Sequence, residues 1–173
     1  MSGPAAVHHI EDPFGFARAA GQYSGQAAIA VMPRLQDCLT GNTGTVSFVV
    51  RGGHDQQDRP VLDLEIGGNL RLQCDRCLAP LDYSLALQSR VLLAHPGEAQ
   101  PVDDDPEAPE WIEAGHDLDL LELVEDEILL GLPLSVRHDP ENCSDGKTGN
   151  DQTGAADSPF AGLATLLEPK RTK

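Results

Sequence analysis

The sequence predicts one α+β domain: a curved antiparallel β-sheet, barrel-like at the limit of its curvature, covered by an acidic amphipathic helix and followed by a flexible C-terminal tail. Three observations lead there. Between residues 45 and 93, long stretches alternate apolar and polar side chains with a period of two, as strands with one wet face do. From residue 117 the apolar residues instead recur at helical spacing against a row of carboxylates. At 173 residues the chain is long enough for one core plus some unstructured length, while two full domains would be cramped.

Asp12-Pro13 ahead of Phe14, Phe16 and Ala17 to Ala20 reads as a short helix, with Asp12 at its cap, Pro13 in its first turn and Gly21 at its end. Tyr23, Gly25, Ala27, Ile29 and Val31 alternate weakly, and Pro33 closes that strand. Val46, Phe48 and Val50 alternate more clearly after a Gly-Asn-Thr-Gly turn. The strongest pattern places Leu62, Leu64, Ile66, Leu70, Leu72 and Cys74 on one face, with Asp63, Glu65, Asn69, Arg71 and Gln73 on the other. Gly67-Gly68 in its middle reads as a bulge or bend that curves the sheet. Tyr83, Leu85, Leu87, Val91 and Leu93 repeat the alternation, so two long antiparallel strands should be joined by a turn carrying Cys74-Asp75-Arg76-Cys77.

Residues 95–109 hold four prolines and five carboxylates without periodicity and read as an exposed acidic loop. A brief edge strand follows around Trp111. The clearest helix then starts at Asp117 as cap, buries Leu118, Leu121, Leu123, Val124, Ile128 and Leu129, and ends at Gly131 and Pro133. Residues 1–141 are expected to form the α+β core. Residues 142–173 are expected to be a flexible linker and a C-terminal motif of apolar residues (Phe160, Leu163, Leu166, Leu167) and basic ones.

Charge restricts the function classes. The chain carries 28 acidic and 12 basic side chains, a net charge of -16, and residues 94–145 hold 16 carboxylates against one arginine, Arg137. Sequence-independent affinity for a phosphate backbone comes from Lys and Arg, so such a surface is poorly suited to coating a nucleic acid and well suited to docking something basic. A solvated face that keeps the protein soluble is the alternative. Glu122, Glu125 and Asp126 share one helical face and are the candidate docking carboxylates, alongside the tail residues Phe160, Leu163 and Leu166.

A single CxxC fits a zinc half-site, a redox pair or two reduced thiols. Redox catalysis favours a first thiol at a helix N-terminus, whereas Cys74 ends a strand. Zinc needs four ligands, and Cys74 and Cys77 could be completed by His138 and Cys143, a plausible but unusual HxxxxC spacing. Cys38, alone beside Leu39, reads as packing, and the remaining histidines as exposed. Nucleophile elbows, phosphate-binding glycine loops and dinucleotide fingerprints do not occur, so no enzyme is predicted. The absence of a long apolar run and of a basic, apolar leader leads to the expectation of a soluble cytoplasmic protein with no membrane partner.

The run Leu123-Val124-Glu125-Asp126-Glu127-Ile128-Leu129-Leu130-Gly131-Leu132-Pro133-Leu134, followed by His138 and Cys143, resembles the YceD family of large ribosomal RNA subunit accumulation proteins. Leu72-Gln73-Cys74-Asp75-Arg76-Cys77-Leu78 resembles that family's strand-borne CxxC, and Ser158 to Leu166 its C-terminal motif. The order and spacing of the three agree over about 100 residues, while the first 60 residues match only in general character. The resemblance implies a bacterial factor needed for synthesis, processing or stability of large-subunit (23S) ribosomal RNA, with no known catalytic residue. The charge distribution adds an expected mechanism: a basic ribosomal protein, or a pre-ribosomal particle, docks on the acidic block and rRNA is reached indirectly. Two alternatives compete, a Mg-dependent RNA-processing enzyme or nuclease subunit using the helix carboxylates, and a zinc-binding adaptor that contacts RNA directly.

Overall fold

The computed structural model describes residues 8–98, 109–139 and 143. The linker and the C-terminal motif, including Phe160, Leu163 and Leu166, lie outside the described residues, Cys143 excepted. The elements run β1 (His9–Ile10), α1 (Pro13–Arg18), β2 (Gln22–Ala28), a 3-10 turn (Ile29–Val31), α2 (Pro33–Gln36), β3 (Thr45–His54), β4 (Pro60–Gln73), β5 (Pro80–Ala94), β6 (Glu110–Glu113), β7 (Leu118–Asp119) and α3 (Leu120–Gly131). The class is α+β.

Five strands form one sheet in the order β2-β3-β4-β5-β6. The first four pair antiparallel, β3 to β5 through short turns and β2 to β3 across the 3-10 turn and α2, and β6 is added parallel to β5 through Val91↔Glu110 to Ala94↔Glu113. The sheet is therefore mixed, and β2 and β6 remain its two edges, so the expected barrel-like closure does not occur. Nor is there a bulge at Gly67-Gly68. Pairing runs unbroken from Val46↔Gly68 to His54↔Pro60 on one side and from Val61↔Leu92 to Gln73↔Pro80 on the other. The even parity of Leu62, Leu64, Ile66, Leu70 and Leu72, all buried, continues across both glycines, which an inserted residue would have reversed.

The inner face of the sheet carries Val46, Phe48, Val50, Leu62, Leu64, Ile66, Leu70, Leu72, Leu85, Val91 and Leu93, and α3 adds Leu120, Leu123, Val124 and Ile128 to the same core. The outer face buries Val61 and Leu92 at one end and is otherwise largely polar, locally neutralised by cross-strand pairs: Arg51 with Glu65 (2.7 Å), Arg90 with Asp63 (2.6 Å) and Arg71 with Asp82 (3.2 Å). Each such solvent-screened pair adds little stability, but together they offset one another's charge.

At α1 the expected cap is in place: Asp12 Oδ1 accepts from Gly15 N at 2.8 Å and Pro13 occupies the first turn. The α3 cap sits two residues later than expected. Asp119, whose Oδ1 accepts from Leu121 N (2.8 Å) and Glu122 N (3.3 Å), starts the helix, while Asp117 meets the His9 ring at 3.1 Å. The cause is β7, which pairs with β1 and holds Leu118 and Asp119 extended. Pro33 does not close the strand, which ends at Ala28 before the 3-10 turn Ile29–Val31; it opens α2 instead, where its missing N–H costs nothing. His8 is not exposed as expected: it is buried, with Nδ1 2.8 Å from the Tyr23 hydroxyl.

Candidate metal centre

The long β4–β5 hairpin projects a turn whose hydrogen bonds Cys74 N to Ala79 O (3.0 Å) and Leu78 N to Cys74 O (2.9 Å) bring Cys74 and Cys77 to one side. Leu78 takes a positive φ of 60° to complete it, an uncommon conformation for a residue with a bulky side chain. The chain after α3 returns to this turn. Asp75 N donates to Val136 O at 2.9 Å, Val136 N donates to Asp75 Oδ2 at 2.9 Å, and His138 Nε2 lies 3.0 Å from Pro80 O. Those bonds deliver His138, and Cys143 follows through its N–H to Asp139 O at 2.9 Å.

The result is a cluster of Cys74, Cys77, His138 and Cys143 with every ligand atom within 4.8 Å of the others. Cys74 Sγ lies 3.9 Å from Cys143 Sγ, and Cys77 Sγ lies 3.4 Å from His138 Nδ1. A disulfide would need about 2.05 Å. A tetrahedral zinc with Zn–S near 2.3 Å and Zn–N near 2.0 Å places neighbouring ligand atoms about 3.5 to 3.8 Å apart, so both spacings fit tetrahedron edges. The imidazole is oriented to serve as a ligand, since Nε2–H donates to the Pro80 carbonyl and leaves Nδ1 with its lone pair toward the sulfurs.

The electrostatics point the same way. Main-chain N–H groups, Cys77's in the turn foremost and then those of His138 on the returning chain and Arg76 in the turn, hold the Cys74 thiol well below its usual range, at about 5, against the opposing effect of burial. Cys77 is lowered chiefly by the Ala79 N–H. Cys143 is pushed up to about 11 by burial and by the Cys77 and Cys74 sulfurs, and His138 is raised by hydrogen bonds to Cys74 and Cys77. Three sulfurs this close cannot all ionise unless a cation sits among them. These four residues could hold a metal ion, and soft thiolates with one imidazole select zinc among common divalent ions. Cys38 is exposed and outside the cluster.

The helix carboxylates divide. Glu122 is exposed. Glu125 is buried, only 4 % exposed, with Oε1 accepting from Leu35 N at 2.9 Å and Oε2 accepting from Arg34 Nε at 3.2 Å, so it does not share an open face with Glu122 as expected. Asp126 is half-buried and paired with Arg34. A groove of about 310 Å³ nevertheless collects Glu113, Asp117, Asp119, Glu122 and Asp126 around Leu118 and Leu123. Among the described residues these carboxylates form no group within mutual ligating distance. Asp119 reaches the groove as the α3 cap, and Glu113, at the end of the four-residue β6, joins it without any sequence signal. Direct contact with RNA would need uncommitted basic side chains, and Arg71 and Arg90 are tied to Asp82 and Asp63.

A family model described as large ribosomal RNA subunit accumulation protein YceD matches residues 62–167. That stretch includes both halves of the cysteine–histidine cluster. The chain belongs to the YceD family. It is also 29 % identical over 173 residues to the Large ribosomal RNA subunit accumulation protein YceD of Haemophilus influenzae, covering 95 % of this chain and 96 % of that protein. No solved structure matches it. The YceD match begins on β4, runs through the CxxC turn and α3, and extends past Cys143.

Proposed function

We propose that this protein is a non-enzymatic, cytoplasmic ribosome-biogenesis factor that supports the synthesis, processing or stability of 23S ribosomal RNA by docking a basic ribosomal protein, or a pre-ribosomal particle that displays one. The description of the YceD family supports the rRNA role. The observation that carries the docking mechanism is the groove between β6, β7 and α3, where five carboxylates surround Leu118 and Leu123 and, among the described residues, Arg34 and His9 answer them. Such a groove suits Lys and Arg side chains, whose charged heads meet carboxylates while their methylene stems lie on leucine. RNA would then be reached through the partner, consistent with the neutralised outer sheet face. The spread of the carboxylates around the groove favours docking over two-metal nuclease chemistry, which needs ligands converging on ions ~4 Å apart.

The cysteine–histidine centre is structural in this reading. Bound zinc would fasten the chain beyond Pro133 to the hairpin tip, and Phe160, Leu163 and Leu166 would act as a second, apolar contact. No described helix is long and apolar enough to cross a membrane. The test is capture from lysate by the tagged protein, at low and high salt, with bound protein and RNA identified separately. The reading requires a basic ribosomal protein that is retained after RNase treatment and lost when Glu113 and Glu122 are changed to Lys. Retention of RNA alone, or capture unchanged in that variant, overturns it.

A further inference from the structure

A cavity of about 520 Å³ has a lining opposite in character to the rest of this acidic molecule. Its walls include Phe14 and Arg18 of α1, His54 at the end of β3, His95 after β5, and His116 in the loop between β6 and β7. The carboxylate in that lining, Asp12, is committed to the Gly15 N–H. The side chains of Arg18, His54 and His116 make no hydrogen bond or ion pair with any described residue. By contrast Arg34, Arg51, Arg59, Arg71 and Arg90 are each paired with a carboxylate. In a chain of net charge -16, an arginine and two imidazoles that line one cavity, with the helix-cap Asp12 and no other carboxylate beside them in its described lining, suit an anion.

The cavity also has an aromatic wall. The Phe14 and His95 rings are stacked, with centroids 3.9 Å apart and planes 21° from parallel. The volume is in the range of pockets that hold whole organic ligands, so a bare phosphate would leave most of it unfilled. We infer that this cavity binds a nucleotide, its phosphate answered by Arg18, His54 and His116 and its base by the aromatic wall of Phe14 and His95. Guanidinium offers phosphate a bidentate, charge-assisted contact, and stacking on aromatic rings accepts any base. A free nucleotide and one residue of single-stranded RNA present the same phosphate and ring, and the experiment below separates the two sources. The site is independent of the protein-docking groove. The loop between β6 and β7 contributes to both with different residues: Glu113 and Asp117 line the groove, while Gly115 and His116 line the cavity.

Isothermal titration calorimetry of the full-length protein with AMP, inorganic phosphate and a short single-stranded oligoribonucleotide tests this. AMP should bind more tightly than phosphate at equal ionic strength. Arg18→Gln, and the double variant His54→Gln with His116→Gln, should each weaken AMP by about tenfold or more with an unchanged melting temperature, as loss of charge-assisted phosphate contacts predicts. Arg51→Gln, on the outer sheet face, should bind AMP as the unaltered protein does. Tighter binding of the oligoribonucleotide than of AMP assigns the site to RNA, and the reverse assigns it to a free nucleotide. Absence of binding by both, phosphate as tight as AMP, or an equal loss in Arg51→Gln overturns the inference. Because groove variants are not used, failure here leaves the docking reading standing.

Discussion

Asp75 and Val136 exchange two hydrogen bonds, each main-chain N–H reaching the other residue at 2.9 Å, and so join the CxxC turn to the segment of chain that carries His138. This clamp uses no ligand atom, which separates assembly of the centre from the metal it would hold. Metal affinity of a site that is absent from the unfolded chain appears as folding free energy. Purified without chelator, the protein should contain zinc at a ratio near one, and chelation should lower its melting temperature. Cys77→Ser should abolish stoichiometric zinc while Cys38→Ser keeps it. Asp75→Ala should retain the ligands yet weaken zinc about tenfold or more, as outer supports of metal sites do. Elemental analysis and competition with a chromophoric chelator measure both, and a ratio near zero under reducing conditions rejects the site.

Glu125 and Glu122 are neighbours in sequence spacing with opposite roles. Glu125→Ala would strand the buried Leu35 N–H and remove a partner of Arg34, a loss of about 1 to 3 kcal/mol. Glu122→Lys, on an exposed side chain, should cost under about 0.5 kcal/mol. Chemical denaturation should therefore show a lowered midpoint for the first and little change for the second, whereas partner capture should fall for Glu122→Lys. Equal stability of the two variants would contradict the buried contact.

The difference between those two residues shows where sequence reading stops. Alternation on β3, β4 and β5 was legible because one face is buried and one wet, and the Asp12 cap because its partner is three residues away. The four metal-type ligands were legible by residue type, since the turn ends one pair of strands and the helix returns the chain to it. Burial of Glu125 was not, because its partners are some 90 residues away in α2, a four-residue helix too short to show a period. His8 escaped for the same reason, its partner Tyr23 being brought close only by the fold. Gly67-Gly68 misled because glycine in a strand also marks close approach without a bulge: a Cβ on Gly68 would stand 3.0 Å from Thr45 O.

A second glycine pair tests close packing directly. A Cβ on Gly52 would meet Phe16 O at 2.6 Å and Ala17 Cα at 2.7 Å, main-chain atoms of α1 that can yield only if the helix moves off the sheet. A Cβ on Gly53 would meet Val61 Cγ2 at 3.8 Å, an ordinary contact. Gly52→Ala should destabilise by about 1 to 3 kcal/mol through overpacking, and Gly53→Ala should be close to neutral. Comparable melting temperatures for the two would show that α1 does not rest on the Gly52 backbone.

Glu127 supplies a pH signature. It is only 7 % exposed, and burial, foremost, raises its carboxyl above the usual range; the Ser89 hydrogen bond opposes that shift, while Glu110 and Asp126 reinforce it. A carboxyl whose folded pKa exceeds its unfolded pKa binds more protons in the native state between those two values, so stability falls as pH rises through that interval. Above that interval the native state bears the full cost of the buried charge, and below the unfolded carboxylate range that cost vanishes. Glu127→Gln keeps the shape and a group able to bond Ser89 while removing the charge. Its melting temperature should therefore exceed that of the unaltered protein at neutral pH, and the gap should close as pH is lowered toward the ordinary glutamate range. A gap independent of pH, or a variant less stable at neutral pH, would mean that Glu127 is held charged by a favourable contact.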